Sequence, residues 1–549
     1  MKVCSVTFLC LLSTIPLHAQ VFNVLGSFDG TNGEQPWAAV VQGIDGNFYG
    51  TTASGGAFGQ GAIFKVASDG TVTGLYSFCP QSKCPDGRQP DAALIQATNG
   101  NFYGTTTFGG IDGNDGTIFR ITPQGKFTSL YEFCTQSGCP DGRTLYGGLI
   151  QGTDGNLYGT TNEGGDLNCF APYGCGTVFK ITLTGKLTVL HTFHPGEGGE
   201  SFATVVQATD GNFYGTTEIG GEYDSGTVFR VTPSGVFTTL YDFCAQELCV
   251  DGAGPRGPLM QASDGNLYGT TSSGGESPSE GTVFRITPRG ALTVLHSFTI
   301  SDGSNPYDGL VEGTDGKLYG TTPQGGNVND GTAFNITFDG TFTMLFNFGF
   351  LTNSGSTPNP VIQGTDGKFY GTTMSGGADN DGEIFTLDVG LGPFVSLPRP
   401  FGKVGTQTFI QGQGLTDTKR VSFGGTPAIF KIVSDTLLNA KVPAGATSGL
   451  VTVTTASDKL KSNVPFRVLP QLLSFDPPSG PPGTQVTITG VSLTQTLGVG
   501  FGDRVQSQFT VNSDTSVTAT VPQGAKTGKI GIETKGGVAI SSETFIVTQ

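Results

Sequence analysis

The chain has 549 residues, a formal net charge of −16 and 88 glycines. That excess of carboxylates argues against nucleic acid or an anionic membrane surface as a partner, since both need clustered Lys and Arg. The glycines sit at turn positions between apolar runs rather than in low-complexity tracts, so composition points to an ordered domain.

The first element is an export signal over residues 1–19. Lys2 supplies its positive start, the apolar stretch runs from Val3 to about Leu17, and Leu17-His18-Ala19 offers a small residue at the cut. The stretch is too short to span a bilayer, and no later segment approaches the apolar length required. Leu9 stands where a lipoprotein site at Cys10 would need a small residue. The C-terminal Ile546-Val547-Thr548-Gln549 carries neither a hydrophobic tail nor a basic cluster. The mature chain is therefore expected to be exported, without a transmembrane segment.

Seven copies of Tyr-Gly-Thr-Thr follow, starting at Tyr49, Tyr103, Tyr158, Tyr214, Tyr268, Tyr319 and Tyr370. A spacing of about 51 to 56 residues marks one supersecondary unit copied in tandem. The fourth copy shows its parts. Val205-Val206-Gln207, Asn212 to Thr217, Gly226 to Val231 and Phe237 to Phe243 are short runs rich in β-branched and aromatic residues. Asp210-Gly211 and Ser234-Gly235 join them as tight hairpins, the first a strong type I′ signal. Each unit reads as a four-strand meander, a to d, with tight a–b and c–d turns and long b–c and d–a connections.

Seven such sheets can stack as an open solenoid or close as a propeller. Phe22-Asn23-Val24-Leu25-Gly26-Ser27-Phe28 resembles strand d but precedes the first strand a. The seventh unit ends near Phe385-Thr386-Leu387, with only a doubtful strand d in Phe394 to Leu397. A displaced strand d fits ring closure, which also removes exposed sheet edges. The expected architecture over 20–392 is all-β, a seven-bladed β-propeller closed by an N-terminal strand.

Cys4 and Cys10 leave with the signal. The other eight cysteines form close pairs, Cys79/Cys84, Cys134/Cys139, Cys169/Cys175 and Cys244/Cys249. In an oxidising compartment these read as disulfides. A thiolate metal site is the rival, but no His lies near the pairs, so no metal and no cofactor are expected. Three pairs fall in d–a connections and one in the b–c gap of the third unit, all on one side of the disc, the side where binding is expected.

Gln42, Gln96, Gln151, Gln207, Gln261, Glu312 and Gln363 align the units. Five places earlier stand Trp37, Asp91, Tyr146, Phe202, Arg256, Tyr307 and Pro358. If strand a is innermost, these surround the mouth of a central channel, where aromatic faces beside charged groups suit stacking on sugar rings. The other reading packs the aromatics between adjacent blades. Asp91, Asp308 and Glu312 are the carboxylates near that mouth, and their positions disfavour an acid–base pair. His191, His194 and His296 fall at the outer rim. Tyr-Gly-Thr-Thr itself carries no nucleophile–base pair, so it is read as structural.

After about residue 390 a second repeat appears. Gly405-Thr406-Gln407, Val421-Ser422-Phe423-Gly424 and Val442-Pro443 recur as Gly483-Thr484-Gln485, Val499-Gly500-Phe501-Gly502 and Val521-Pro522. The offset of about 78 residues suits small immunoglobulin-like β-sandwiches over 393–469 and 470–549.

The unit with Asp-Gly-Asn-Phe-Tyr-Gly-Thr-Thr and Gly-Thr-Val-Phe-Arg resembles the GloVer tandem-repeat family of exported bacterial proteins, over residues 21 to 390. Residues 393 to 549 resemble two IPT/TIG domains, which implies an interaction or spacer role. The repeat family implies no catalytic residues. The chain is therefore expected to be an exported, non-catalytic binding or adhesion protein, its partner an extracellular polysaccharide or a surface protein. A secreted polysaccharide hydrolase or lyase and a ligand-free scaffold are the alternatives.

Overall fold

The computed structural model describes residues 20–549 apart from 112, 278, 350–353 and 503–504, so the expected export signal lies outside the described residues. Among the described residues the chain is all-β, with helix confined to 3-10 turns such as Glu247–Cys249 and Leu415–Asp417. No helix is long and apolar enough to cross a membrane.

Each of the first six repeats forms one four-stranded sheet with its strands in sequence order, and the seventh sheet has five strands. In the fourth these are Val206–Gln207, Phe213–Thr217, Thr227–Val231 and Phe237–Asp242. Strand a is the shortest of the four, with a two-residue ladder to strand b, and the Ala203 carbonyl just before it accepts from Thr160 Oγ1 of the preceding unit at 2.9 Å.

The repeated phrase accounts for itself residue by residue. Tyr214 buries its ring and donates its hydroxyl to Asp210 Oδ2 of the a–b turn at 2.7 Å. Gly215 lies against Phe229, and a Cβ there would come within 2.5 Å of that ring. Thr216 Oγ1 donates to the Gly257 carbonyl in the next unit at 3.3 Å. Thr217 Oγ1 shares a hydrogen bond of 2.9 Å with Thr227 Oγ1 on strand c. All five residues of Phe213–Thr217 are buried.

The aligning Gln and Glu residues latch each unit to the one before. Backbone amides of Ile44, Thr98, Thr153, Thr209, Ser263 and Thr314 donate to the side chains of Gln96, Gln151, Gln207, Gln261, Glu312 and Gln363. The seventh link, Thr365 N to Gln42 Oε1 at 3.1 Å, joins the last unit to the first. Thr372 Oγ1 reaches the Ala38 carbonyl and Tyr370 stacks on Phe48 at 4.0 Å, as their counterparts do elsewhere. The seventh sheet takes its outer strand from the start of the chain: Val21–Ser27 pairs antiparallel with Glu383–Asp388, from Val21↔Asp388 to Ser27↔Glu383. Phe394 to Leu397 does not join this sheet. Val395 bridges Ser462, Ser396 bridges Gln411, and both Val395 and Leu397 enter the core of the following domain.

Strands a crowd together at the centre. A Cβ on Gly148 would lie 3.0 Å from the Ala93 carbonyl of one neighbour and 3.2 Å from Thr204 Oγ1 of the other. The b–c gaps and d–a connections meet on one side, as Gly110 N to Cys84 O, Gly165 N to Cys139 O and Gly275 N to Cys249 O show. The disulfides Cys79–Cys84, Cys134–Cys139, Cys169–Cys175 and Cys244–Cys249 are all formed within their pairs.

Two β-sandwiches complete the chain. The first packs Ile410 and Leu438 of one sheet against Val421, Phe423, Val451 and Val453 of the other. The second repeats this with Val486, Ile488 and Val517 against Val499, Phe501, Ile530 and Ile532. The first sandwich rests on the a–b turns of the repeat region. Buried Gln411 donates to the Gly43 carbonyl, Arg467 Nη1 to Ala208 O at 3.4 Å, and Phe394 N to Thr365 O at 3.1 Å. Pro398 and Arg399 face Ile44 and Thr98 across one shared cavity, and Lys461 and Asn463 face Thr314 and Gly316 across another.

Candidate functional site

The entry to strand a lies on the loop side, beside the residues that follow Tyr-Gly-Thr-Thr. Bridges Arg88↔Phe108, Arg143↔Glu163 and Ser304↔Gln324 fix that pairing in unit after unit. Four of the predicted residues meet there. Tyr146 and Phe202 stack at 4.7 Å, and the Arg256 guanidinium lies 5.0 Å from both the Phe202 and Tyr307 rings. Four consecutive units thus contribute one continuous stack, Tyr146–Phe202–Arg256–Tyr307. Trp37 is 49% exposed and Tyr307 36%, so two aromatic faces stay open to solvent.

Pro358 does not belong to this set. It packs on Gly331 as Pro306 packs on Gly281 and Pro255 on Gly226, and the preceding Thr357 has a positive φ of 56°, as Asn305 has one of 52°. The seventh unit is one residue short at this point and supplies no ring member. Asn359 turns inward to donate to the Pro36 carbonyl at 2.6 Å.

Acidic groups flank the stack. Arg256 Nε pairs with Glu218 Oε1 at 2.6 Å, and Arg143 with Glu163 at 2.9 Å. Half-buried Glu200 has its carboxyl held above the usual range, first by burial and then by Glu218 and Glu163. Burial, with Asp91, Glu163 and Glu200 nearby, likewise raises the Tyr146 phenol. Asp91 accepts from Thr107 Oγ1 at 2.7 Å, and burial pushes its carboxyl up to about 6. Asp308 is surrounded by protein yet keeps some solvent contact, and its carboxyl is pushed up to about 8 by desolvation.

Glu312 is elsewhere. Its carboxylate takes Ser263 N at 2.8 Å and the Ser263 hydroxyl within the inter-unit latch, so it does not converge with Asp308. His191 pairs with Glu197, His194 with Asp166 and His296 with Asp302. The first and last of these stack on Phe237 and Phe342 of the next strand d, at the outer rim. Sequence reasoning missed Glu163, Glu200 and Glu218. Their signal was position: Glu218 directly follows Tyr-Gly-Thr-Thr, Glu163 is one place further, and Glu200 precedes Phe202 by two.

A model of the Gloeobacter/Verrucomicrobia repeat matches residues 11–169 and 169–385. The chain belongs to that repeat family. Behind its Gloeobacter/Verrucomicrobia repeats, the IPT/TIG domain model matches residues 395–468 and 470–546. No curated protein matches the chain. Among solved structures, a fungal alcohol oxidase of the AA5 family in complex with copper is 12% identical, with 96% of this chain and 99% of that one covered and a TM-score of 0.43. The surface glycan-binding protein PbSGBP-B from Prevotella bryantii is 19% identical, with a TM-score of 0.22. That overlap covers 28% of this chain and 38% of that one, so the repeat protein spans well under half of that relative.

Proposed function

We propose that residues 20–392 form a seven-bladed β-propeller closed by Val21–Ser27, and that the chain is an exported, non-catalytic binding protein. Its ligand is a polysaccharide seated at the central opening on the loop side, and the IPT/TIG domains serve as a spacer on the other. The observation that carries this reading is the stack Tyr146–Phe202–Arg256–Tyr307 beside exposed Trp37. Partly exposed aromatic faces held on a rigid scaffold suit the flat faces of sugar rings. Disulfides over the same side fit an oxidising, extracellular setting.

A hydrolase reading draws on Asp91 and Asp308, which burial keeps protonated to higher pH, as a general acid requires. It lacks a matched second carboxylate, since Asp91 and Asp308 stand in the second and sixth units. A polysaccharide panel separates the readings. Saturable retention that disappears in the Trp37→Ala, Tyr146→Ala, Tyr307→Ala triple variant supports binding at the opening. Release of new reducing ends would move the assignment to hydrolysis, and neither retention nor release would leave a scaffold.

A further inference from the structure

We infer that the first sandwich is more than a spacer: the outer face of one of its sheets is a basic strip that binds an anionic polysaccharide, one bearing carboxylate or sulfate groups. Residues 393–469 hold nine Lys and Arg against three Asp, a formal +6 in a chain of −16, so the remainder sums to −22. That charge is not spent on seating the sandwich. Among the described residues none of the nine cations forms an ion pair, not even Arg399 and Arg467 at the seam with the repeat region.

Strand register gathers three of these cations. Arg420–Phe423, Val451–Thr454 and Lys459–Lys461 are adjacent strands of one sheet. Arg420, Thr454 and Lys459 form one cross-strand row, and Ser422, Thr452 and Lys461 form the next. Val421, Val453 and Leu460 between these rows enter the core, so alternation turns both rows outward. Arg420, Lys459 and Lys461 are all exposed. Neighbouring strands lie about 5 Å apart, which sets the Arg420 and Lys459 backbones roughly 10 Å from each other across Thr454. The strip continues into the cleft of about 530 Å³ that Lys459 and Lys461 share with Thr314 and Gly316. Asp417 and Asp458 lie in turns at the strand ends, and Glu312, on the cleft, is already held by Ser263. Cations of this kind make charge-assisted hydrogen bonds to carboxylate or sulfate, and the Thr452 and Thr454 hydroxyls between them suit sugar hydroxyls. These three strands offer neither the aromatic platforms on which single-stranded bases stack nor a helix to enter a duplex groove. Their outward residues include no large apolar side chain for insertion into a bilayer.

The test is calorimetric titration of the full chain with polygalacturonate, dextran sulfate, unsulfated dextran and a DNA duplex. At least one acidic polymer is expected to bind ~10-fold or more tightly than unsulfated dextran, and to weaken as added salt screens the contacts. Which of the two binds identifies the anion as carboxylate or sulfate. The Arg420→Gln, Lys459→Gln, Lys461→Gln triple variant removes three exposed charges and is expected to weaken that polymer at least ~10-fold. The Lys403→Gln, Lys431→Gln, Lys441→Gln variant removes the same charge from exposed positions outside the strip and is expected to leave binding unchanged. Trp37→Ala, in the repeat region, is also expected to leave it unchanged, so this surface and the binding reading above fail separately. Equal loss in both triple variants, or acidic polymers binding no more tightly than dextran, overturns the inference. Tighter binding of the duplex, lost in the first triple variant, overturns it in favour of nucleic acid.

Discussion

At the residue scale, Gly215 shows how tightly the repeat is written. A methyl group there would sit 2.5 Å from Phe229, so Gly215→Ala is expected to destabilise by about 1–3 kcal/mol through overpacking, read from the denaturant midpoint. Asp308 gives a pH signature. Its carboxyl rises from an ordinary 3.8 to about 8 in the folded chain. Between those values the folded state keeps a proton that the unfolded state has released, so stability is greatest at the acid end of that window and falls as pH rises, levelling above about 8. Asp91, at about 6, adds to the lower part of the slope. Asp308→Asn is expected to flatten the fall of Tm between pH 6 and 8, measured by calorimetry; an unchanged slope would refute the assignment. The structural nature of Tyr-Gly-Thr-Thr was legible because the phrase recurs with no catalytic partner. Glu163, Glu200 and Glu218 were not, because their importance comes from neighbours in adjacent units that one repeat cannot display.

At the element scale, the d–a connections solve one problem in two ways. Three are closed by disulfides, whereas the connection after the fifth unit is held by Asp302, which accepts Thr299 N at 2.7 Å. Outer strands answer these loops with one polar contact each, Tyr76 to Asp86, Tyr131 to Asp141 and Tyr241 to Asp251. Replacing Cys134 and Cys139 together by Ser is therefore expected to cost no more than about 2 kcal/mol in the chain-entropy view, since the closed loop is short and Tyr131 still anchors it. Limited proteolysis should then cut between those positions while the sheet persists, and loss of the whole fold would contradict this. Strands b, c and d were legible from their length and β-branched content. Strand a was legible only as an apolar run, since its ladder is just two residues long. Phe394 to Leu397 misled for a similar reason: an apolar run does not say which core it enters.

At the scale of the whole molecule, the decisive feature is that the seventh-to-first link matches the other six, with Gln42 taking Thr365 N and Val21–Ser27 completing the seventh sheet. Removing residues 20–28 is expected to bare the edge of Glu383–Asp388, lower the thermal midpoint and promote association through that edge. Light scattering after chromatography reads the association, and a monomer of unchanged midpoint would show the seam to be dispensable. That seam was legible because the first strand resembles strand d yet arrives too early. The seating of the first sandwich was not, since Gln411, Arg467 and Phe394 carry no motif and meet Gly43, Ala208 and Thr365 only in the folded chain. Those contacts tie the first sandwich to the a–b turns of the first, fourth and seventh units. With those turns covered, the disulfide-bearing loops are the part of the repeat region that faces away from the first sandwich.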